Sequence, residues 1–496
     1  MTASAAGRPV TASAATGRPP ALRWVLVLTA VAGLIVALDQ LVVATALNTI
    51  RQDLGASMAE LEWTVNAFGL GFAALLIPAA EFGDRIGRKR AYLSGLLLFA
   101  AASAACALAP TTGVLIAARA VQGAAAALLS PAALALLTEA TPPRRRGAVM
   151  GVYAAVTGLA VVGGPLVGGA VAEGLAWQWI FWINVPVIAV VVPVARRVLT
   201  EHTGRPAAPD FPGIVLAAGS MFALVWALVR SGSAGWASAE VLGTLVAGVI
   251  TLAAFAVRQA TAAHPMLPTR LLRQPAFTAG NLSTLLLTAS LFGTVFFLAQ
   301  YLQVGLGHSP LGAGLRFLPW TATLFFVAPV AGRLQDRIGP RTLICAGLLL
   351  QGAGLLWIGV NAHQHQGYGA SVAALVLSGV GTSMALPAQQ TAVMTAVPPA
   401  LMGKAAGTFN TVRQLGGALG IAVMAAVFGA VGGEESPLAF ADGFSGAVIV
   451  AAALAFTGAA YGLLAPGRPR PAAPAPPAAP VGDGTDRAVE EELGAH

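Results

Sequence analysis

Charge is what this sequence is short of. Only 10% of its 496 residues are Asp, Glu, Lys or Arg, against about 25% in a soluble domain, so water is not the solvent for most of the chain. Lysine is scarcer still: Lys89 and Lys404 are two of 28 basic residues. Cysteine is confined to Cys106 and Cys345, both inside apolar runs. That excludes a disulfide framework and reads each as a small buried hydrophobe. No Gly-x-x-x-x-Gly-Lys-Ser/Thr loop occurs, so ATP does not power the chain from within, and no nucleophile elbow or cysteine-pair constellation marks an enzyme. No metal, and no cofactor other than a proton gradient as energy source, is expected. His363 and His365 read as a solvated loop, without the cysteines or carboxylates of a metal site.

What is present is apolar surface: 57% of residues are hydrophobic and the mean hydropathy is +0.77. A membrane-spanning helix needs roughly 20 such residues. Runs near 24–47, 61–82, 91–109, 113–137, 147–171, 178–197, 211–230, 238–257, 277–303, 311–331, 342–361, 369–396, 403–430 and 442–464 predict fourteen spans. The net charge of +8 does not point to nucleic acid, because the basic residues cluster between runs. The N-terminal segment and the segments after even-numbered spans hold 23 of them, and the opposite segments hold Arg51 and Arg230. The positive-inside rule then puts both termini in the cytoplasm of a bacterial inner membrane and requires an even span count. The start is not a secretory signal, since its apolar run is too long and lacks a small-residue cleavage site. The Pro/Ala-rich tail from Pro466 cannot bury a core and is expected to be disordered.

One short motif organises these spans. Asp84-Arg85-Ile86-Gly87-Arg88-Lys89-Arg90 joins spans 2 and 3, and Asp336-Arg337-Ile338-Gly339 returns after span 10, followed by Arg341. Two such hinges in the same setting mark a duplicated chain. Their offset requires two additional helices between six-helix halves. The expected division is a disordered N-terminus at 1–22, a six-helix bundle at 23–200, a two-helix insert at 201–275, a second bundle at 276–465 and a disordered tail at 466–496.

Charges within the spans are the informative residues, since each costs about 2.5–3.5 kcal/mol even on a mild insertion scale. They are Asp39 in span 1, Arg119 in span 4, Arg316 in span 10 and Arg413 in span 13. At roughly 1.5 Å per residue, Asp39 and Arg119 both lie about 8–9 Å below the outer face, close enough to pair directly or through water. Such a pair is either a static link between helices or a carboxylate whose proton binding depends on Arg119 and on water. Gln122 stands one turn from Arg119 on the same face. It either bonds a neighbouring helix or lines the same cavity, for which Asn66, Arg316 and Arg413 are further candidates. Arg316 has the alternative of snorkelling to the outer interface. In span 5, Gly164, Pro165, Gly168 and Gly169 suit close helix packing, a kink, or both. Trp177, Trp179, Phe181 and Trp182 form an interfacial belt, and Asn184 with Pro186 is a place for span 6 to break.

These residues resemble the major facilitator superfamily, and within it the fourteen-span drug:proton antiporter branch. The hinge is similar to the superfamily's loop motif, with Ala80 in place of its leading Gly and with Asp84, Arg85, Gly87 and Arg88 matching. Arg119, Gln122 and Gly123 match the span 4 motif. Gly164, Pro165, Gly168 and Gly169 match the span 5 antiporter motif, which marks exporters. Leu38, Asp39, Val43, Ala46 and Leu47 match the span 1 motif in part, since Leu41, Ala44 and Asn48 replace its Thr, Asn and Pro. Arg413 to Gly420 is similar to the span 13 motif.

The resemblance implies an all-α membrane protein of the major-facilitator fold, two six-helix bundles rocking about a central cavity, with the extra pair peripheral. It implies Asp39 and Arg119 in proton coupling, and Asp84 touching a helix end of the other half when the carrier opens outward. The expected function is proton-coupled export of a small amphipathic molecule by a monomer in the bilayer, with no nucleic-acid partner. The alternatives are export of a metabolite or siderophore, or a non-transporting sensor or assembly protein. Spans 9 to 13 hold no acidic residue, so a neutral or weakly anionic substrate is favoured over a multiply cationic one.

Overall fold

In lipid an unsatisfied backbone group costs several kcal/mol, and a helix satisfies all of its own, so each long apolar run folds as one. The computed structural model describes residues 22–142, 145–201, 210–262, 271, 273–397 and 401–465; of the segments expected to be disordered, 1–21 and 466–496 lie outside that set, while Leu22 begins the first helix. Among the described residues, twelve helices are long and apolar enough to cross a membrane, and two bent pairs bring the number to fourteen.

The spans are α1 (Leu22–Leu54), α2 (Met58–Ile86), α3 (Arg88–Ala107), α4 (Thr112–Ala140) and α5 (Arg146–Gly174). Next come α6 (Trp179–Trp182, then Asn184–Val198), α7 (Phe211–Ala234), α8 (Ala239–Thr261) and α9 (Pro275–Gln300, continuing as a π-turn over Tyr301–Gly305). α10 runs in three pieces, Pro310–Arg316, Leu318–Thr321 and Thr323–Ile338. The last four are α11 (Pro340–His363), α12 (Tyr368–Thr395), α13 (Met402–Val431) and α14 (Pro437–Gly462). α6 breaks at Ile183, beside Asn184 and Pro186 as expected. α5 bends by 47° between Val161 and Gly163, where Pro165 leaves the Val161 carbonyl without its i+4 donor.

The repeated hinges share a local structure. α2 passes into α3 through Gly87 alone (φ 106°), and α10 passes into α11 through Gly339 alone (φ 82°). Positive φ is costly for a residue with a Cβ, which explains the glycine in both copies. Each hinge is also tied to the last helix of its own half. The Lys89 ammonium donates to the Arg196 carbonyl at the end of α6 (2.7 Å), and the Arg341 guanidinium donates to the Ala465 carbonyl beyond α14 (2.8 Å). A cation at a helix C-terminus also complements its dipole.

The insert α7–α8 is a hairpin closed by an ion pair near each end, Arg230 with Glu240 and Arg258 with Asp210, both at 3.0 Å. Arg258 therefore belongs to helix α8, not to the following loop. Burial works against the ionised Asp210, but the Gly213 N–H, Arg258 and Gln259 outweigh it and hold the carboxyl below its ordinary range. α8 faces lipid, with 11% of its apolar window buried. α7 is less peripheral than expected: it packs against α2 of the first half and α13 of the second. Trp63, Phe222 and Trp226 stack there with ring centroids 5.5–5.6 Å apart.

Glycine lets the helices within a half approach closely. A Cβ on Gly420 of α13 would lie 2.0 Å from the Ala289 carbonyl oxygen of α9, whereas one on Gly243 of α8 meets nothing within 4 Å. Overpacking costs about 1–3 kcal/mol. Gly420→Ala should therefore lower the melting temperature of the purified protein in detergent by several degrees, and Gly243→Ala should leave it unchanged. Equal effects would contradict this packing.

Candidate functional site

Two buried charges of opposite sign meet within the first half. Asp39 of α1 and Arg119 of α4 form an ion pair, with side chains 0% and 1% exposed. Such a pair survives in a low-dielectric interior only when its remaining donors and acceptors are also satisfied. Here they are. Arg119 Nη1 also donates to Gln122 Oε1 at 2.8 Å, and Arg119 Nε donates to the Thr64 carbonyl of α2 at 3.2 Å. Gln122 Nε2 donates to Asp39 Oδ1 and to Ser103 Oγ of α3, each at 2.8 Å. Asn184 Nδ2, at the break in α6, donates to Asp39 Oδ1 at 3.2 Å and to Ser103 Oγ at 3.3 Å. The guanidinium lies over the Phe68 ring at 4.5 Å, a cation–π contact that replaces part of its lost hydration.

The network thus unites Asp39, Arg119 and Gln122, which spacing and depth had brought together, and adds Ser103, Asn184 and the Thr64 carbonyl. A neutral Ser or Asn in a span carries no signal of its own beyond a possible helix contact, so Ser103 could not have been singled out. Asn184 was visible only as a helix breaker.

Beside the network is a narrow cavity between the halves. Gln40, Val65, Asn66, Phe68, Gly69 and Arg119 line it from the first half, and Phe292, Gln414, Gly417, Ala418 and Ile421 from the second. Asn66 lines it with both amide atoms unpaired. Arg413 precedes Gln414 on α13 and has no hydrogen-bond partner at Nε. Arg316 is not among the lining residues. It stacks on Tyr368 of α12 (5.2 Å to the ring centroid) and donates to the Gly312 carbonyl at 3.0 Å.

The four residues of the span 5 motif pack against two helices. A Cβ on Gly164 or Gly168 would meet Leu41 (2.6 Å) or the Thr45 hydroxyl (2.3 Å) of α1, and one on Gly169 would lie 2.3 Å from the Pro310 carbonyl of α10. The Pro165 carbonyl in turn abuts Gly314 of α10. The motif therefore joins the halves at the end of the molecule away from the hinges. The same end carries the Arg51–Glu434 ion pair, Gln303 Nε2 on the Thr45 carbonyl (3.0 Å) and the Leu311 N–H on Glu173 (2.9 Å). Toward the hinge end the Thr323–Ile338 segment of α10 packs chiefly on α12, with a smaller contact to α11.

Arg88, Lys89 and Arg90 of the first hinge bond within their own half. Arg88 bridges Asp84 (2.8 Å) and Glu139, while Glu201 accepts from the Lys89 and Arg90 N–H groups at 3.0 and 3.2 Å. That carboxylate caps the first turn of α3 and supplies the negative charge a helix N-terminus favours. Glu201 lies beyond the motif in sequence, which is why it was not foreseen. Arg85 and Arg337 occupy the last turns of α2 and α10; Asp336 is also in the last turn of α10, and its side chain lies outside the described set. His363 ends α11 with one carboxylate near it, Asp442 at 3.5 Å, and no group of three candidate metal ligands occurs among the described residues.

Removing one partner of a buried ion pair costs about 3–5 kcal/mol, whereas replacing both with apolar groups is often far less damaging. Asp39→Ala should therefore lower the melting temperature sharply, and Asp39→Ala combined with Arg119→Met should recover part of the loss. A double variant no better than the sum of two single ones would refute the coupling.

Comparison with known proteins agrees with this architecture. Residues 29–421, and again 280–488, match the family model described as Major Facilitator Superfamily. The tetracenomycin C resistance and export protein of Streptomyces glaucescens is 34% identical over 87% of this chain and 80% of its own. The puromycin resistance protein of Streptomyces alboniger is 37% identical over 84% of each, and the cephamycin export protein of Amycolatopsis lactamdurans is 35% identical over 87% and 90%. Among solved structures, a peptide transporter bound to sulfate superposes with a TM-score of 0.65 at 17% identity, covering 90% of this chain and 96% of its own. An inward-facing bacterial homologue of the lysosomal transporter Spinster gives 0.64 at 19% identity, covering 90% and 97%. The chain belongs to the major facilitator superfamily of membrane transporters, as a fourteen-span member grouped by sequence with antibiotic-resistance and export proteins.

Proposed function

We propose that this protein exports small amphipathic molecules, drugs or antibiotics among them, across the bacterial inner membrane in exchange for protons, by alternating access. Relatives named for resistance to or export of tetracenomycin C, puromycin and cephamycin support the export reading. The observation that carries the proton reading is the sealed Asp39–Arg119–Gln122 network next to the inter-half cavity. Arg119 is the counter-charge of a deprotonated Asp39. Moving Arg119, or admitting water, removes that counter-charge and lets the carboxylate take a proton. Both termini lie in the cytoplasm in this reading, on the basic-residue bias. The hinge end is then cytoplasmic and the end with the Arg51–Glu434 pair is outer. Contacts between the halves concentrate at the outer end, which fits an inward-facing carrier.

The cavity's composition bears on the substrate. Its charged lining residue is Arg119, already paired, and amides and aromatic rings supply the rest of its specific contacts. Gln40 and Asn66 supply amides on the first half and Gln414 on the second, where the adjacent Arg413 adds positive charge; Gln122 is held in the network and does not line the cavity. This suits a neutral or weakly anionic molecule with an apolar body. The membrane potential contributes about 2.3 kcal/mol per charge per 100 mV, so one proton per cycle sustains a useful gradient of a neutral drug.

In proteoliposomes with an imposed pH gradient, Asp39→Asn should reduce proton-driven efflux of a transported drug at least tenfold while drug binding persists. The drug is to be taken from a susceptibility panel on a deletion strain. Undiminished efflux by the variant would reject the proton assignment, and a deletion strain unaltered across the panel would reject drug export.

A further inference from the structure

A second carboxylate is buried in this protein, outside the network just described. Glu62 on α2 is 4% exposed, and its Oε2 has no hydrogen-bond partner. Glu62, Asn66 and Gly69 recur at helical spacing, so they share a face. Asn66 and Gly69 line the cavity opposite α13, which places Glu62 on the same seam, nearer its outer end. Glu434 of the α13–α14 loop lies within electrostatic range of it.

The charged groups on the surrounding elements are either engaged with other partners or lie farther along their helices. Arg119 of α4 pairs with Asp39 of α1, and Arg51 of α1 pairs with Glu434. Arg230 of α7 pairs with Glu240. Glu60, on the first turn of α2, takes the Ser57 and Thr112 hydroxyls. Arg88, Lys89 and Arg90 of α3, and Lys404 and Arg413 of α13, lie toward the hinge end of their helices, and Glu435 follows Glu434 in the outer loop. Glu62 is therefore covered at the closed outer seam with its Oε2 unbonded, and the Glu434 carboxylate near it already holds the Arg51 cation. An ionised carboxylate in that position is disfavoured, because burial removes its hydration and no hydrogen bond to Oε2 replaces it.

We propose that Glu62 is a proton-binding site of the outer gate: the outer ends of the halves close over it only after it has taken a proton from outside. When the halves part, Glu62 meets water and ionises. When they come together, the uncharged carboxyl enters the seam between α2 and α13. The site is distinct from Asp39. It makes outer closure pH-dependent whether or not Asp39 carries the transported proton.

The test needs no substrate. Full-length protein in lipid nanodiscs would carry distance labels, introduced as unnatural amino acids, at the exposed outer positions Pro110 of the first half and Gln366 of the second. In the unsubstituted protein the distance should lengthen as pH rises, because ionised Glu62 disfavours closure. Glu62→Gln, which cannot ionise, should hold the short distance at all pH values, and Glu62→Ala should do the same if the glutamine variant fails to fold. Asp39→Asn should keep the pH response, which separates this site from the transport assignment. An unchanged pH response in both Glu62 variants would overturn the proposal. So would lengthening as pH falls, the sign expected if protonation of Glu434 released Arg51.

Discussion

An ionised group moved from water into a helical bundle loses several kcal/mol of hydration, and the protein must return that stabilisation with specific contacts. In this chain the requirement falls most heavily on Asp39 and Arg119. It is met by one closed set of hydrogen bonds drawn from α1, α2, α3, α4 and α6. The first half is therefore tied together from within. No member of the network can move far alone without leaving a buried charge unsatisfied. Movement is directed instead to the boundaries between the halves, where glycines and backbone carbonyls meet and the ion pair that crosses, Arg51 with Glu434, is partly exposed to solvent.

The second half is cross-linked by neutral groups instead. Gln351 bonds Ser290 and Gln389 bonds Ser283, each at 3.2 Å, and Thr323 bonds Ser383 at 3.3 Å. The two halves share the one-residue glycine hinge and the cationic tie to their last helix, yet they differ in what they bury. Ionic chemistry is concentrated in the first half, and uncharged framework in the second. The insert adds a further constraint. α7 lies across α2 and α13, so any rocking of the halves must shear against its aromatic cluster.

Much of this was legible in the residues. Apolar runs mark the spans because lipid leaves the backbone no alternative to helix, and the paired hinges mark the duplication because both need a glycine with positive φ. Depth along two helices was enough to bring Asp39 to Arg119. Ser103, Asn184 and Glu201 were not legible in these roles, because a polar side chain announces neither its partner nor its rotamer. Glu62 escaped for another reason. It stands at the rim of its apolar run, where a carboxylate ordinarily faces water, and tertiary packing on α2 buries it. That α7 seals a seam, and does not merely accompany the halves, likewise depends on tertiary contacts that spacing cannot encode.

The central claim is that Asp39 exchanges a proton as its link to Arg119 opens and closes. Infrared difference spectroscopy on lipid-reconstituted protein, stepped from neutral to acidic pH, reads this directly through the carbonyl stretch of a protonated carboxyl group. The account predicts a reversible carboxylic-acid component that is lost in Asp39→Asn and retained in Glu62→Gln, separate from any component that Glu62 contributes. An identical band in Asp39→Asn, or no titrating carboxyl in the unsubstituted protein, would contradict it.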